Sequence, residues 1–252
     1  MDENFSGNLC SIWNSSTWPR KQSDIFWAPL LKKSFRILEP ALHNGSNILE
    51  IGCGNGHITN VFHLRGYKAT GIDINPDRIM EAKRKYPCVD FIKGSAEYLP
   101  FGDESFDVVF SFSVLQYVDQ SLVLKEVHRV LKKNGKIIFN ENLKHNPFVI
   151  AYRTIRKAFG VQFPKYTFPI HHLTWSDIDK FKMYFTRINI DTEHLTSPLA
   201  FAFINSRNNS SLKLLLFQNL FTFLFWIDRS ILKKLRLFRR YSWMVTISGQ
   251  RL

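Results

Sequence analysis

Acidic residues are scarce in this chain: 21 Asp and Glu stand against 34 Lys and Arg in 252 residues, a formal net charge of +13. The imbalance leaves anionic surfaces open as partners. Cysteine is scarcer still. Three residues, Cys10, Cys53 and Cys88, have no pairing logic, which excludes a disulfide scaffold and, with no signal peptide recognisable, predicts a reducing, cytoplasmic compartment. No uncharged run looks long enough to span a bilayer, since the longest apolar candidate, Leu214 to Ile227, has 14 residues where roughly 20 are required. With 45% hydrophobic residues, the length suits one domain, 1–252, with a full core.

Glycine is sparse too, yet three of the 12 fall in one short stretch. Ile48-Leu49-Glu50-Ile51 is an apolar run of the kind that forms a parallel strand buried on both faces. Gly52, Gly54 and Gly56 then alternate with larger residues, which permits positive φ and lets a ligand approach bare main chain. Ile58, Val61 and Phe62 follow at helical spacing, so the first amides of that helix point unpaired over the loop. Asp73 closes the next apolar stretch one helix and one return strand later, where a carboxylate can take both hydroxyls of a ribose. Dinucleotide folds seat a pyrophosphate with G-x-G-x-x-G. This loop is G-x-G-x-G preceded by Glu50, so a diphosphate is not favoured.

These motifs resemble the class I S-adenosylmethionine-dependent methyltransferases. The match continues through Phe91 to Phe101, similar to the family's third strand and adenine loop, and through Phe106 to Val118, similar to its fourth strand and the segment under the methionine. Leu124 to Leu131 and then Lys132 to Phe139 resemble its next helix, turn and fifth strand. Four blocks in order cover about 40–142. The fold implied is α/β, a doubly wound, seven-stranded, mostly parallel sheet, Rossmann-like, with S-adenosyl-L-methionine as cofactor.

By that resemblance Gly52, Gly54 and Gly56 face the amino-acid end of the cofactor and Glu50 organises its amine side. Asp73 takes the ribose hydroxyls, and Ile74 lies against the adenine. Ser95 and Ala96 edge the adenine, Ser95 standing where many relatives carry aspartate. Ser111 offers its backbone to the methionine amine and Gln116 sits near the sulfonium, unless it is a solvent-facing residue on the following helix. Cys53 reads as a small filler. Displacement at a sulfonium needs alignment more than acid–base machinery. A base helps a hydroxyl acceptor, and His171, His172, Tyr117 and His145 are the candidates.

Several acceptors are disfavoured. The place that reads polar-Pro-Pro-aromatic in amine-methylating DNA enzymes is Ser111-Phe112-Ser113-Val114 here. The cysteines lie away from the loop that cytosine-C5 enzymes use. No glutamate pair suits a guanidinium, and no clustered acids suit a metal. A small molecule, a sugar or a lipid-linked acceptor remains, with O-methylation favoured and no nucleic acid expected, because the basic stretch lacks a recognised binding motif. The Leu115-Gln116-Tyr117-Val118 and Arg129-Val130-Leu131-Lys132 motifs resemble the branch with quinone-pathway and sugar-tailoring enzymes. The readings from other classes are an NAD-dependent oxidoreductase and a non-catalytic cofactor-binding scaffold.

Around the core, 1–40 reads as an N-terminal cap with Trp13, Trp18 and Trp27 and a helix-like stretch from Ile25 to Leu38. Residues 143–200 read as an acceptor-side cap and a sixth strand, Phe185 to Leu195, with a helix start at Thr174 to Asp177. Residues 201–240 form an enlarged connection, and 241–252 the last strand, with Tyr241 to Ser248 rich in β residues. Within the connection, Leu212 to Phe238 reads as a helix with a thin polar stripe at Asn219, Thr222, Arg229, Lys233 and Arg236. From 213 onward eight bases face the single acid Asp228. Basic side chains beside apolar surface suit an anionic membrane face, so 212–240 has three open destinations: a peripheral contact at the inner membrane, the domain itself, or a second subunit of a homodimer.

Overall fold

The computed structural model describes residues 22–158, 170–203 and 211–252. Trp13, Trp18 and Cys10 and the part of the expected acceptor-side cap at 159–169 lie outside the described residues.

Helix α1, Gln22–Leu38, comes first. Then follow β1 Asn47–Ile51, α2 His57–His63, β2 Lys68–Asp73, α3 Pro76–Lys85, β3 Asp90–Lys93 and β4 Phe106–Phe112. Next come α4 Gln120–Val130, β5 Leu131–Asn142, α5 Pro147–Ala158, α6 Trp175–Asp179, β6 Thr186–Glu193, α7 Ser211–Lys234 and β7 Met244–Gln250. The seven strands lie in the order β3-β2-β1-β4-β5-β7-β6. β1, β2, β3, β4 and β5 pair in parallel, while β7 runs antiparallel to both β5 and β6. The chain order reverses between β1 and β4, and in such sheets ligands bind beyond the carboxyl ends of the strands at that switch.

The apolar runs in β1, β4 and β5 belong to strands covered on both sides, and alternate residues feed opposite layers. Ile48, Val108, Phe110 and Ile138 pack with Leu31, Phe35 and Leu38 of α1 and with Val61 and Phe62 of α2. Leu49, Val109, Ile137 and Phe139 point the other way, to Val123, Leu124, Val127 and Val130 of α4. Over its described residues α1 is therefore core rather than a lid, as its buried residues Leu30, Leu31, Ser34, Phe35 and Leu38 repeat at helical spacing. Its Ser34 hydroxyl donates to Asn140 Oδ1 at 3.1 Å inside that layer.

The connection from β6 to β7 departs from expectation at its end. α7 stops at Lys234, and Arg236–Tyr241 form a 3-10 turn instead of continuing the helix. The last strand begins only at Met244. Phe217, Phe221, Asp228 and Leu232 form the buried face of α7. Asp228, the lone acid of the basic segment, accepts from Thr196 N at 2.7 Å, from the Thr196 hydroxyl at 2.7 Å and from Ser197 N at 2.9 Å. A second correction concerns length: Leu215–Lys234, 20 residues with mean hydropathy 1.2, is long and apolar enough to cross a membrane by length and composition alone. Counting uncharged runs stops at Asp228, whereas a helix carries Asp228 and Arg229 within an otherwise apolar span.

Candidate active site

The loop from β1 to α2 has φ of +68° at Gly52, +52° at Gly54 and +78° at Gly56, a region L side chains avoid. The three glycines serve different needs. A Cβ on Gly52 would overlap Val114 Cγ2, and one on Gly56 would overlap the Phe91 ring. A Cβ on Gly54 would meet only Arg78 Nη1, at 3.9 Å. The outer two glycines admit neighbouring side chains, and Gly54 alone turns bare backbone to open space.

Asp73, 8% exposed, ends β2 beside that loop. Gly54 N donates to its Oδ2 at 2.9 Å and Asn75 N to its Oδ1 at 2.9 Å. Each oxygen keeps a lone pair for a further donor. Asn75 then caps α3, accepting from Asp77 N and Arg78 N. Asp73 is thus not the capping acid of α3. Ile74, next in line, is 58% exposed, an uncovered aliphatic surface beside a ligand-ready carboxylate.

Below the loop Glu50 is buried and accepts from the Thr59 hydroxyl at 2.5 Å. Burial pushes its pKa up to about 8 against the pull of Thr59. Cys53 is a buried free thiol, and burial raises its pKa far above the ordinary value, which makes it unreactive at neutral pH.

After β4 the chain is strained at Ser113, a non-glycine with φ +57°. A polar knot holds it there. Gln116 Nε2 donates to Ser113 O at 3.2 Å, and Asn142 Nδ2 reaches Ser113 Oγ at 3.2 Å and Gln116 Oε1 at 3.3 Å. Gln116 is 4% exposed, so it does not face solvent. Glu141 accepts from Val114 N and Leu115 N at 3.1 and 3.2 Å. Burial lifts its pKa to about 8, opposed by those amides and by the Ser111 hydroxyl. Asn142 Oδ1 is buried with no hydrogen-bond partner among the described residues, and an acceptor left so calls for a donor on a ligand. Thr59, Glu141 and Asn142 were missed from the sequence, though the polar triplet Asn140-Glu141-Asn142 at the end of an apolar strand was a signal.

The proposed bases are divided. His171 N donates to Gln116 O at 2.8 Å, which straps an exposed His171 beside the knot and beside the half-exposed Tyr117. Arg153 Nη1 lies 3.1 Å from His172 Nε2. A guanidinium only donates, so that nitrogen's lone pair is occupied. Burial, aided by Arg153, lowers the His172 pKa to about 4. That arrangement weighs against His172 as a proton acceptor. His145 is exposed at the start of the α5 connection. Ser95 Oγ accepts from Glu97 N at 3.2 Å and Ala96 is buried, both in the loop after β3.

A doubly wound sheet with an open glycine bend and a clamped acid at its switch point defines the class: an α/β protein with its loop crevice at the carboxyl ends of the strands. Residues 49–139 match the family model described as a methyltransferase domain. The chain is 34% identical over 134 residues to a demethylmenaquinone methyltransferase of Chlorobaculum parvum, covering 50% of this chain and 56% of that protein. It is 38% identical over 105 residues to a phthiotriol/phenolphthiotriol dimycocerosates methyltransferase of Mycobacterium ulcerans, covering 39% and 38%. The chain thus spans about half the length, or less, of these two curated relatives. Among solved structures, a SAM-dependent methyltransferase from Methanosarcina mazei shares the fold with TM-score 0.56 at 21% identity, covering 86% of this chain and 97% of that one. Geranyl diphosphate C-methyltransferase from Streptomyces coelicolor has TM-score 0.58 at 15% identity, covering 96% and 89%. Residues 49–139 thus match a methyltransferase domain, set on a sheet whose fold is shared with a solved SAM-dependent methyltransferase.

Proposed function

We propose that the protein transfers a methyl group from S-adenosylmethionine to a small-molecule or lipid-linked acceptor. The observation that carries this reading is the clamp of Gly54 N on Asp73 Oδ2 beside open backbone. The residues suit the cofactor: Asp73 retains lone pairs for two ribose hydroxyls, Ile74 offers a flat face for adenine, and Ser95 and Ala96 border it. Glu50, raised to about 8, gains an ammonium partner at the amino-acid end, together with the main chain of Ser111. Asn142 Oδ1 and Gln116 lie where a polar group would be received.

S-adenosylmethionine supplies a methyl already activated on sulfonium. The chain has only to orient the acceptor and exclude water. His171, strapped to Gln116, and Tyr117 beside it are the groups placed to take a hydroxyl proton, which favours O-methylation. The Chlorobaculum and Mycobacterium relatives are, by name, methyltransferases of demethylmenaquinone and of phthiotriol/phenolphthiotriol dimycocerosates, which supports an apolar acceptor. Calorimetric titration with S-adenosylhomocysteine and with NAD, followed by labelled-methyl transfer into extract fractions, tests the reading. Binding of NAD alone overturns it in favour of an oxidoreductase, and tight S-adenosylhomocysteine binding without transfer favours a scaffold.

A peripheral contact with an anionic membrane at the cytoplasmic face belongs to the same reading. On α7 the face opposite Phe221 leaves Leu216, Phe223 and Trp226 exposed, and Arg229 and Lys233 lie at its border, the arrangement of an interfacial helix. Phe223→Glu with Trp226→Glu should abolish sedimentation with anionic vesicles. Unchanged sedimentation, or a concentration-dependent homodimer that buries these residues, overturns the membrane contact.

A further inference from the structure

A cavity of about 770 Å³ lies between α1, β6 and α7. It is not the cofactor site. β6 is four strands along from β1, roughly 20 Å at the usual strand spacing. Six cations line the cavity, Lys32, Lys33 and Arg36 from α1, Arg229 and Lys233 from α7, and Arg239 from the turn that follows, against three acids, Asp191, Glu193 and Asp228. Two of the acids share one lysine, and the third is held by neutral donors. Lys33 bridges Asp191 at 3.2 Å and Glu193 at 3.3 Å, and Asp228 is held by Thr196 and Ser197. The other five cations form no ion pair among the described residues.

Six cations against three acids leave an excess of positive charge on one cavity, and an anion relieves this. Arginine forks suit a phosphate in particular. Phe221, Phe225 and Leu232 line the same cavity, so the favoured anion carries an apolar part. Arg229 and Lys233 also border the exposed Phe223 and Trp226 face of α7.

The geometry points to this cavity as a binding site for the phosphate headgroup of an anionic lipid, which seats the protein on the membrane and is not itself methylated. The inference rests on the membrane contact of α7 and adds a specific ligand to it.

The test uses the full chain, vesicles of phosphatidylcholine with and without phosphatidic acid, and a soluble short-chain phosphatidic acid. Arg36→Glu with Arg229→Glu is compared with Lys83→Glu with Lys133→Glu, an equal change in net charge on bases elsewhere on the surface. The cavity variant should lose roughly tenfold or more in affinity for the phosphatidic acid vesicles, and the control pair at most about twofold. Titration of the short-chain lipid should show the same split. Equal losses in both variants overturn the site, as does inorganic phosphate binding as tightly as the short-chain lipid. Should Phe223→Glu with Trp226→Glu leave vesicle binding intact, the membrane contact fails, while the short-chain titration still reads the cavity. S-adenosylhomocysteine titration of each variant reports separately on the cofactor site and on folding.

Discussion

Gly54 and Asp73, 19 residues apart, meet in a single hydrogen bond: the amide of the open glycine donates to Asp73 Oδ2 at 2.9 Å. The carboxylate thereby fixes the loop and faces the crevice at once. Asp73→Ala should weaken S-adenosylhomocysteine binding at least roughly tenfold, since hydrogen bonds to a charged group contribute about 1.5–3 kcal/mol each. Calorimetry checks this, and unchanged affinity removes Asp73 from the site.

The glycines should separate stability from binding. Gly52→Ala drives a Cβ into Val114 and Gly56→Ala drives one into Phe91, so both should lower the melting temperature by several degrees. Gly54→Ala meets nothing closer than 3.9 Å and carries only the strain of a positive φ, about 1–2 kcal/mol, yet it places a methyl where the ligand approaches. Its loss should fall mainly on affinity. A Gly54→Ala protein that binds as wild type would move the ligand elsewhere.

Glu50 gives a pH signature. Its pKa is about 8 in the fold against 4.5 ordinarily, so between those values the folded state holds the extra proton. Stability of the free protein therefore falls as pH rises from about 4.5 to 8 and levels off above. Glu141, raised likewise, adds to the slope. Glu50→Gln should flatten part of this fall in thermal melts and raise the melting temperature at pH 9 more than at pH 5. If Glu50 meets the ammonium of the cofactor, affinity should rise with pH across the same window in wild type and not in the variant.

The two histidines should behave oppositely. His172, held near pKa 4 with Arg153 on Nε2, binds fewer protons folded than unfolded below pH 6.5, so it costs stability as pH falls from 6.5 towards 4. His172→Asn should improve acid tolerance and leave the pH–rate profile of methyl transfer in place. His171→Asn should lower kcat. A profile that follows His172 instead would reverse the assignment.

On α7, Phe221→Ala should cost about 3–5 kcal/mol, as buried aromatic truncations do. Trp226, 66% exposed, should cost under about 0.5 kcal/mol on truncation. Denaturant unfolding separates the two.

Most of the sheet was legible from the chain because strands covered on both faces write themselves as short apolar runs closed by glycine or acid, as Ile48 to Gly52 and Gly71 to Asp73 do. The glycine bend and the acid beyond it follow from local backbone geometry, so the spacing alone located them. The polar triplet Asn140-Glu141-Asn142 marked the end of β5, but the partners of Glu141 and Asn142 were not legible: they are Val114, Leu115 and Gln116, some 25 residues earlier, and a contact across that distance leaves no local pattern. The same holds for His172, whose neighbour Arg153 decides its protonation.

In α7 the division is clearest. Composition alone determined a long, apolar, basic helix. The thin polar stripe marked one outward edge, but it could not say which of the apolar side chains around the rest of the cylinder face inward. Asp228 decided that: a buried carboxylate must find donors, and those on Thr196 and Ser197 turn Phe217 and Phe221 to the core and leave Phe223 and Trp226 to the outside.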